Sequence, residues 1–312
     1  MPSSAGRLPA RIARRLTVPA IAAPMLRISG PELVAAACRA GVIGAFPTAN
    51  ARSAAELDEW LRGLSEVDDG SFAPWCPNLI IRQPRLEEDL AALVENAVEM
   101  VITSVGSPAE VVGPLHDAGS LVLADVASLR HAHKALEAGV DGLVLLGAGA
   151  GGQTGWLNPF AFVRAVRAFH DGPLVLAGGI ADGASLRAAQ LLGCDLGYLG
   201  TRFIATQESR AESAYRDMLV ESEMDDVVLT RAFSGLPTSM LRPSILAAGL
   251  DPEDLDEGVT AETAASMYGA GAAGPRRWSH IWSAGHGVSS VRDIPTVAEL
   301  VARLRAELDE LE

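Results

Sequence analysis

The sequence predicts a (β/α)₈ barrel, that is, a TIM barrel, and three observations support this fold class. Short apolar runs alternate with amphipathic segments of helix length. The alternation repeats eight times within roughly the first 200 residues. The connections are only a few residues long, as in parallel strands that are each followed by a helix. An open doubly wound sheet is the alternative, but eight equal units favour closure.

Each predicted strand is a short apolar run, and a helix with a start signal follows each strand except the last. The strands are Ala20–Ala23, Val42–Phe46, a run within Phe72–Ile80, Met100–Ser104, Leu121–Val126, the run that begins at Leu143, Leu174–Ala177 and Gly197–Leu199. The helices are Ser29–Gly41, Ser53–Leu64, Leu86–Asn96, Pro108–Gly119, Ser128–Ala138, Pro159–His170 and Gly183–Leu192. We expect Ser29 to cap the first of these helices.

The pattern changes after the eighth strand. Residues 208–250 are predicted to be mostly helical, residues 258–274 to form a loop or a short helix, and Val297–Leu311 to form a last helix. We therefore divide the chain into a barrel over residues 1–206 and a helical addition over residues 207–312. The addition is expected to cover the C-terminal face of the barrel and to complete a pocket.

Composition excludes several classes of function. The chain has 312 residues, 49% of them apolar, which is enough for a large core. Its net charge of −14 argues against nucleic acid or an anionic membrane as a partner. The arginines before Leu16 imitate a signal peptide, but Pro19 and Pro24 interrupt the apolar part. The three cysteines fit a reducing cytoplasm better than a disulfide framework or a metal site: Cys38, Cys76 and Cys194.

Glycine-rich loops follow the last three predicted strands. Five glycines occur among the nine residues 147–155, and the next two strands end at Gly178-Gly179 and at Gly200-Thr201. In barrels of this kind, the loops after strands seven and eight often bind phosphate through backbone N–H groups and a helix N-terminus. Tight turns would also use glycine, but two pairs at the two expected loops favour a phosphate-bearing cofactor.

The ordered motifs of the chain resemble those of the nitronate monooxygenase family, whose members are FMN-dependent (β/α)₈ barrels. The resemblance covers nearly the whole chain. It rests on Ala23-Pro-Met25, Asn78, Gly149-Ala-Gly-Gly-Gln-Thr-Gly155, Ala177-Gly-Gly-Ile-Ala-Asp-Gly183, Leu199-Gly-Thr-Arg-Phe-Ile-Ala-Thr-Gln-Glu-Ser209 and Ile281-Trp-Ser-Ala-Gly-His-Gly-Val288.

The resemblance implies an FMN site built from these motifs. Ala23, Pro24 and Met25 would run beside the isoalloxazine ring, and Asn78 would bond its polar edge. Asp125 falls where relatives can place a lysine near the flavin. The remaining cofactor-binding residues that it implies are Gly151, Gly152 and Gln153 in the glycine-rich loop and Gly178, Gly179, Gly200 and Thr201 around the phosphate.

The chain departs from the family pattern at two positions, Gln153 and His286. Many relatives have histidine in place of Gln153, and glutamine cannot accept a proton near neutral pH. His286 stands where relatives have glutamine, so the two side chains look exchanged. We predict that Gln153 and His286 are the catalytic residues. The alternatives are that Gln153 only bonds the flavin and that His286 only bonds backbone.

The predicted function is that of a cytoplasmic flavoprotein that oxidises alkyl nitronates with O₂, with a homo-oligomer left open. One alternative is an NAD(P)H-dependent flavin reductase of quinones or activated alkenes, although no separate dinucleotide fingerprint of the G-x-G-x-x-G kind follows a first strand. A flavin-binding protein without turnover is another, because the histidine is missing. A further alternative is a phosphate-binding isomerase or aldolase without flavin. The aldolase is disfavoured, because a Schiff-base mechanism needs a lysine and strands six to eight carry none.

Overall fold

Eight parallel strands close into a barrel in the computed structural model, which describes residues 7–268 and 274–311. Residues 1–6, 269–273 and 312 lie outside the described residues, including part of the segment predicted as loop or short helix. The described strands, in chain order, are β1 (Ala20–Ala22), β2 (Ile43–Pro47), β3 (Trp75–Ile80), β4 (Met100–Ser104), β5 (Leu121–Val126), β6 (Gly142–Leu146), β7 (Gly152–Gln153), β8 (Leu174–Ala177), β9 (Leu196–Leu199), β10 (Val227–Thr230) and β11 (Thr238–Leu241).

Helices follow the barrel strands, and further helices lie in the segment after β9. They are α1 (Ala10–Ala13), α2 (Pro31–Arg39), α3 (Ala54–Val67), α4 (Leu86–Glu95), α5 (Ala109–Asp117), α6 (Leu129–Glu137), α7 (Pro159–Arg167), α8 (Gly183–Leu192), α9 (Thr201–Ile204), α10 (Ser213–Glu221), α11 (Arg242–Ala247), α12 (Ala261–Tyr268) and α13 (Val297–Asp309). The predicted fold class is therefore confirmed, and each predicted barrel strand is present.

The barrel closes where β1 pairs with β9. Ile21 stands opposite Tyr198 on one side and opposite Ile43 of β2 on the other. Along every strand, alternate residues point inward, because side chains in a strand alternate between its two faces. The inward residues form a buried apolar cluster inside the barrel, whereas the outward residues pack against the surrounding helices. Below the carboxyl ends of its strands, the barrel is therefore filled by side chains and is not a channel.

The last helix completes the ring of outer helices. α13 packs between α8 and α2, at the place where a helix directly after β9 would be expected. Its approach to α8 is close, and Gly183 N–H donates to the Glu307 carboxylate at 2.7 Å. The predicted division at residue 206 stays a prediction, but α13 belongs to the ring around the barrel by position.

The prediction that residues 208–250 are mostly helical was wrong in its middle part. β10 and β11 pair antiparallel, with Val228 opposite Met240, and β11 also pairs with the two-residue strand β7. The β-branched run Val227-Val-Leu-Thr230 and the turn residues Gly235 and Pro237 are typical of a hairpin. These runs of strand-forming residues are short, and the sheet is complete only when β11 pairs with β7 in the glycine-rich loop.

No helix among the described residues is long and apolar enough to cross a membrane.

Substitution of Gly183 by alanine is expected to destabilise the fold. An added Cβ would lie 2.5 Å from Glu307 Cβ and 2.8 Å from the backbone carbon of the same residue. Because backbone must move to relieve this contact, we expect a loss of about 1–3 kcal/mol in the free energy of unfolding. Denaturant unfolding measures it.

Gly63→Ala is the matched control, because Gly63 lies inside α3 and a Cβ there would meet nothing within 4 Å. Replacing a glycine inside a helix removes backbone entropy from the unfolded chain, so this variant should gain about 0.5–1 kcal/mol. Equal unfolding midpoints for the two variants would contradict the close packing of α13 on α8.

Candidate active site

A cavity of about 900 Å³ opens at the carboxyl ends of the barrel strands. The strand ends form its floor, and residues from the β10–β11 region and from Arg277 to Gly287 form part of its wall. Ligands of TIM barrels bind at this end. A volume near the top of the roughly 300–1,000 Å³ range of small-molecule sites leaves room for a cofactor together with a second ligand.

The floor of the cavity is the last inward-facing layer of the barrel. Asn78, Ser104, Asp125 and Tyr198 each follow an apolar core residue by two positions, so they point the same way. Ser104 Oγ donates to Asn78 Oδ1 at 3.0 Å. The other polar atoms of this floor, Asn78 Nδ2, Asp125 Oδ1 and the Tyr198 hydroxyl, are buried and have no hydrogen-bond partner among the described residues. Buried polar atoms without partners are uncommon, so their convergence on one floor indicates a ligand.

Burial also changes the acidity of this floor. It raises the pKa of Asp125 to about 7, although the residue remains partly open to the cavity. The pKa of Tyr198 is raised well above its usual 10, first by burial and then by the neighbouring Asp125 and Cys76. A neutral Asp125 is thus accessible near pH 7, and in that form it can donate a hydrogen bond. Tyr198, whose neighbours in the sequence are apolar, also faces the cavity.

The turn after β1 forms one wall and is held by two side chains. Ser29 Oγ donates to Ala23 O at 3.2 Å and accepts from Met25 N–H at 3.0 Å. Asn50 Nδ2 donates to the carbonyl oxygens of Met25 and Ser29 at 2.9 and 2.8 Å. The prediction that Ser29 caps the following helix was wrong, because Gly30 is the N-cap residue and the helix has no side-chain cap. These contacts fix the cavity-lining turn formed by Ala23, Pro24 and Met25.

The glycines after β8 present backbone to the cavity. Gly178 has φ +112° and Gly179 has φ +75°, backbone angles that residues with a side chain rarely adopt. A Cβ on Gly178 would lie 2.9 Å from Ala148 O, so the glycine also allows two loops to approach. Within the described residues, the N–H groups of Gly178 and Gly179 donate to no acceptor. Such groups can bind an anion.

The helix N-terminus expected to assist this loop is already occupied. Asp182 caps α8 by accepting from Ser185 N–H at 2.7 Å, and Glu307 accepts from Gly183 N–H. Two carboxylates at this helix end repel an anion. A phosphate would therefore depend on the Gly178-Gly179 loop and on Gly200-Thr201 after β9, both of which line the cavity. Thr201 Oγ1 also accepts from Gly285 N–H at 2.9 Å, which ties the late loop to the barrel.

Gln153 lies in the cavity wall and is positioned by a sheet. It is the second residue of β7 and pairs with Thr238 of β11. Its side chain is exposed to the cavity and makes no hydrogen bond within the described residues. Gly151 and Gly152 precede it in the same wall. The amide of Gln153 therefore has both its donor and its acceptor available for a ligand.

His286 lies behind the glycine-rich loop. Its backbone N–H donates to Gly149 O at 2.8 Å, and a Cβ on Gly149 would lie 2.8 Å from His286 Nδ1. The neighbouring Gly285 and Gly287 line the cavity, whereas the half-buried His286 packs on the loop that carries Gln153. The two side chains are thus not brought together in one wall, and the catalytic role of His286 stays a prediction.

Comparisons with known proteins agree with this geometry. A family model described as nitronate monooxygenase matches residues 11–307. Nitronate monooxygenases of Pseudomonas aeruginosa and Paraburkholderia phytofirmans are 31% and 29% identical, over 93% of this chain and 96% and 92% of theirs. A nitroalkane oxidase from Streptomyces ansochromogenes superposes with a TM-score of 0.81 at 26% identity, covering 96% of this chain and 98% of that one.

The family match spans the barrel, the hairpin that positions Gln153 and most of α13, so it includes every wall of the cavity. The chain belongs to the nitronate monooxygenase family.

Proposed function

We propose that this protein binds FMN in the cavity and oxidises alkyl nitronates with O₂. Its family membership makes it an oxidoreductase. Similarity to nitronate monooxygenases and to the superposed nitroalkane oxidase supports the choice of substrate. Bound FMN would supply the redox chemistry, while the chain binds the reactants, orients them and tunes the ring.

The single observation that carries the proposal is the set of partnerless polar atoms on the cavity floor. Asn78 Nδ2 is a buried donor, and Asp125 can donate when protonated or accept when ionised. Both would serve a flavin, whose ring has donors and acceptors along one edge. The turn Ala23–Met25 offers an apolar wall for the ring, and the N–H groups at Gly178-Gly179 and Gly200-Thr201 suit the phosphate.

Gln153 favours a nitronate over a neutral nitroalkane. Its amide N–H groups can bond the oxygens of a substrate that is already anionic. Removal of a proton from a neutral nitroalkane needs a base. Among the described residues that line the cavity, the exposed His131 on α6 is the one histidine, no lysine is present, and Asp125 is assigned to the flavin. The chain is therefore expected to bind and orient the anion and to leave its formation to solution chemistry.

The wild-type protein should oxidise propyl-2-nitronate and show at least about 100-fold lower kcat/KM with neutral 2-nitropropane, because a general base contributes roughly 10²–10⁴-fold. Gln153→His should raise kcat/KM for the neutral nitroalkane and leave nitronate oxidation within about tenfold. Gln153→Leu keeps the size but removes the donors, and should lose nitronate turnover by about 10–100-fold. Oxygen consumption measures all three.

His286→Gln is the companion variant. If His286 only supports the loop, nitronate turnover will change little and its pH profile will keep its shape. If His286 instead acts as the base that relatives place at position 153, the ratio of nitroalkane to nitronate turnover will fall in this variant. Equal turnover of both substrates by the wild type and by Gln153→Leu would contradict the role proposed for Gln153.

FMN affinity should fall as pH rises from 7 to 9. The pKa of Asp125 is raised to about 7, so the neutral, donating form prevails below that pH and is lost above it. FMN phosphate has a second pKa of about 6 and stays dianionic in this window. We expect the dissociation constant to rise by up to about tenfold per pH unit, as measured by quenching of flavin fluorescence.

Asp125→Asn is the matched variant, because the amide keeps a donor and a similar shape at every pH. It should bind FMN with an affinity that is flat across the same window. A flat profile in the wild type, or no binding by Asp125→Asn, would rule out the neutral carboxyl as a contact of the cofactor.

A further inference from the structure

The charges around the cavity differ in sign from those of the whole chain. The net charge of the chain is −14. Among the described residues that line the cavity, Arg82, Arg202 and Arg277 are cationic, and Asp125 on the floor is the one carboxyl group. A cluster of one sign at a cleft attracts ligands of the opposite sign.

Arg277 is the cation of this set that best fits a ligand. Arg202 is paired with Asp293 at 3.1 Å, and Arg82 is exposed. Arg277 is half-buried, donates to Phe233 O at 2.8 Å and has no carboxylate within 4.0 Å among residues 7–268 and 274–311. Burial lowers the pKa of Arg277, which means that its charge is poorly compensated. A partly buried cation without an opposite charge beside it can be stabilised by an anionic ligand.

The mouth of the same cavity is apolar. Trp156 is 79% exposed, and three other large apolar side chains around the cavity are 38–40% exposed: Leu26, Val105 and Leu236. They come from the loops after β1, β4 and β7 and from the β10–β11 turn, so four separate segments place apolar surface at one opening. Exposed apolar side chains gathered around one cavity are typical of a binding site.

We propose that the substrate carries, besides its nitronate, a second anionic group on an extended apolar body. Arg277 binds this second group, and the rim formed by Trp156, Leu26, Val105 and Leu236 covers the apolar body. This inference rests on the proposed function and adds the substrate class to it. An ethyl or propyl nitronate has too little apolar surface to cover four large apolar side chains at the opening. The anionic group could be a carboxylate or a phosphate, since a guanidinium binds both through paired N–H groups.

The test is calorimetric titration of the FMN-loaded protein with octanoate, octyl phosphate, octanol and propionate. Octanoate or octyl phosphate should bind at least about tenfold more tightly than octanol, because hydrogen bonds to a charged group contribute about 1.5–3 kcal/mol. Octanoate should also exceed propionate, since each buried methylene adds roughly threefold in affinity. The tighter of the two anions identifies the anionic group.

Arg277→Gln should lower octanoate affinity about 10–100-fold, and Arg277→Lys should retain part of it, because the charge remains. Trp156→Ala should weaken octanoate about tenfold and leave propionate unchanged. The matched controls are Arg187→Gln on α8 and Phe160→Ala at the start of α7, neither of which lines the cavity. Both controls should bind octanoate as the wild type does.

Octanoate that binds no better than octanol or propionate, or that binds Arg277→Gln unchanged, would overturn the inference. Calorimetry reports ligand binding without turnover, so this result is independent of nitronate oxidation. A protein that binds octanoate through Arg277 and Trp156 but does not oxidise nitronates would support the anion site and contradict the proposed reaction. A protein that oxidises propyl-2-nitronate but does not distinguish these ligands would do the reverse.

Discussion

Closure of the barrel is the constraint on which the rest of the structure depends. When β1 pairs with both β2 and β9, no strand edge is left, and every second side chain must point inward. The lower inward layers are apolar and fill the interior. The last layer has no further layer above it, so polar side chains there meet a cavity instead of a core. The position of Asn78, Asp125 and Tyr198 follows from this geometry.

The barrel could be predicted from the sequence because its signals are local and repeated. Runs such as Leu121–Val126 and Leu174–Ala177 are apolar, short and followed by helices, and the structure has strands at the same residues. The inward direction of Asp125 and Tyr198 could also have been read from alternation with Leu123 and Leu196. A role for Tyr198 beyond packing could not be predicted, because its sequence neighbours are apolar and a single hydroxyl forms no pattern.

The segment after β9 was harder to predict, because its structure depends on pairing with residues far away in the sequence. β7 is only Gly152–Gln153, and glycine has no preference for a strand. It becomes one by pairing with β11, about 85 residues later in the chain. The motifs that carry Gln153 and His286 are visible in the sequence, but which face of the glycine-rich loop each side chain occupies is not. Asn50, which braces the turn at Met25, lies in no motif at all.

The electrostatics follow from burial in the same way. Asp125 and Arg277 both lose water, and each has a shifted pKa because the fold provides no opposite charge beside it. One stands on the floor and the other in the wall of a single cavity, which separates a region suited to the cofactor from a region suited to a substrate.

The central claim is that this cavity passes electrons from a nitronate to FMN, and one measurement tests it most directly. The FMN-loaded protein is mixed without oxygen with propyl-2-nitronate and, separately, with NADH and NADPH, and its visible spectrum is followed. The account predicts that the nitronate bleaches the flavin within the turnover time and that the pyridine nucleotides do not. Bleaching by NADH or NADPH alone would contradict it and would make the protein a flavin reductase.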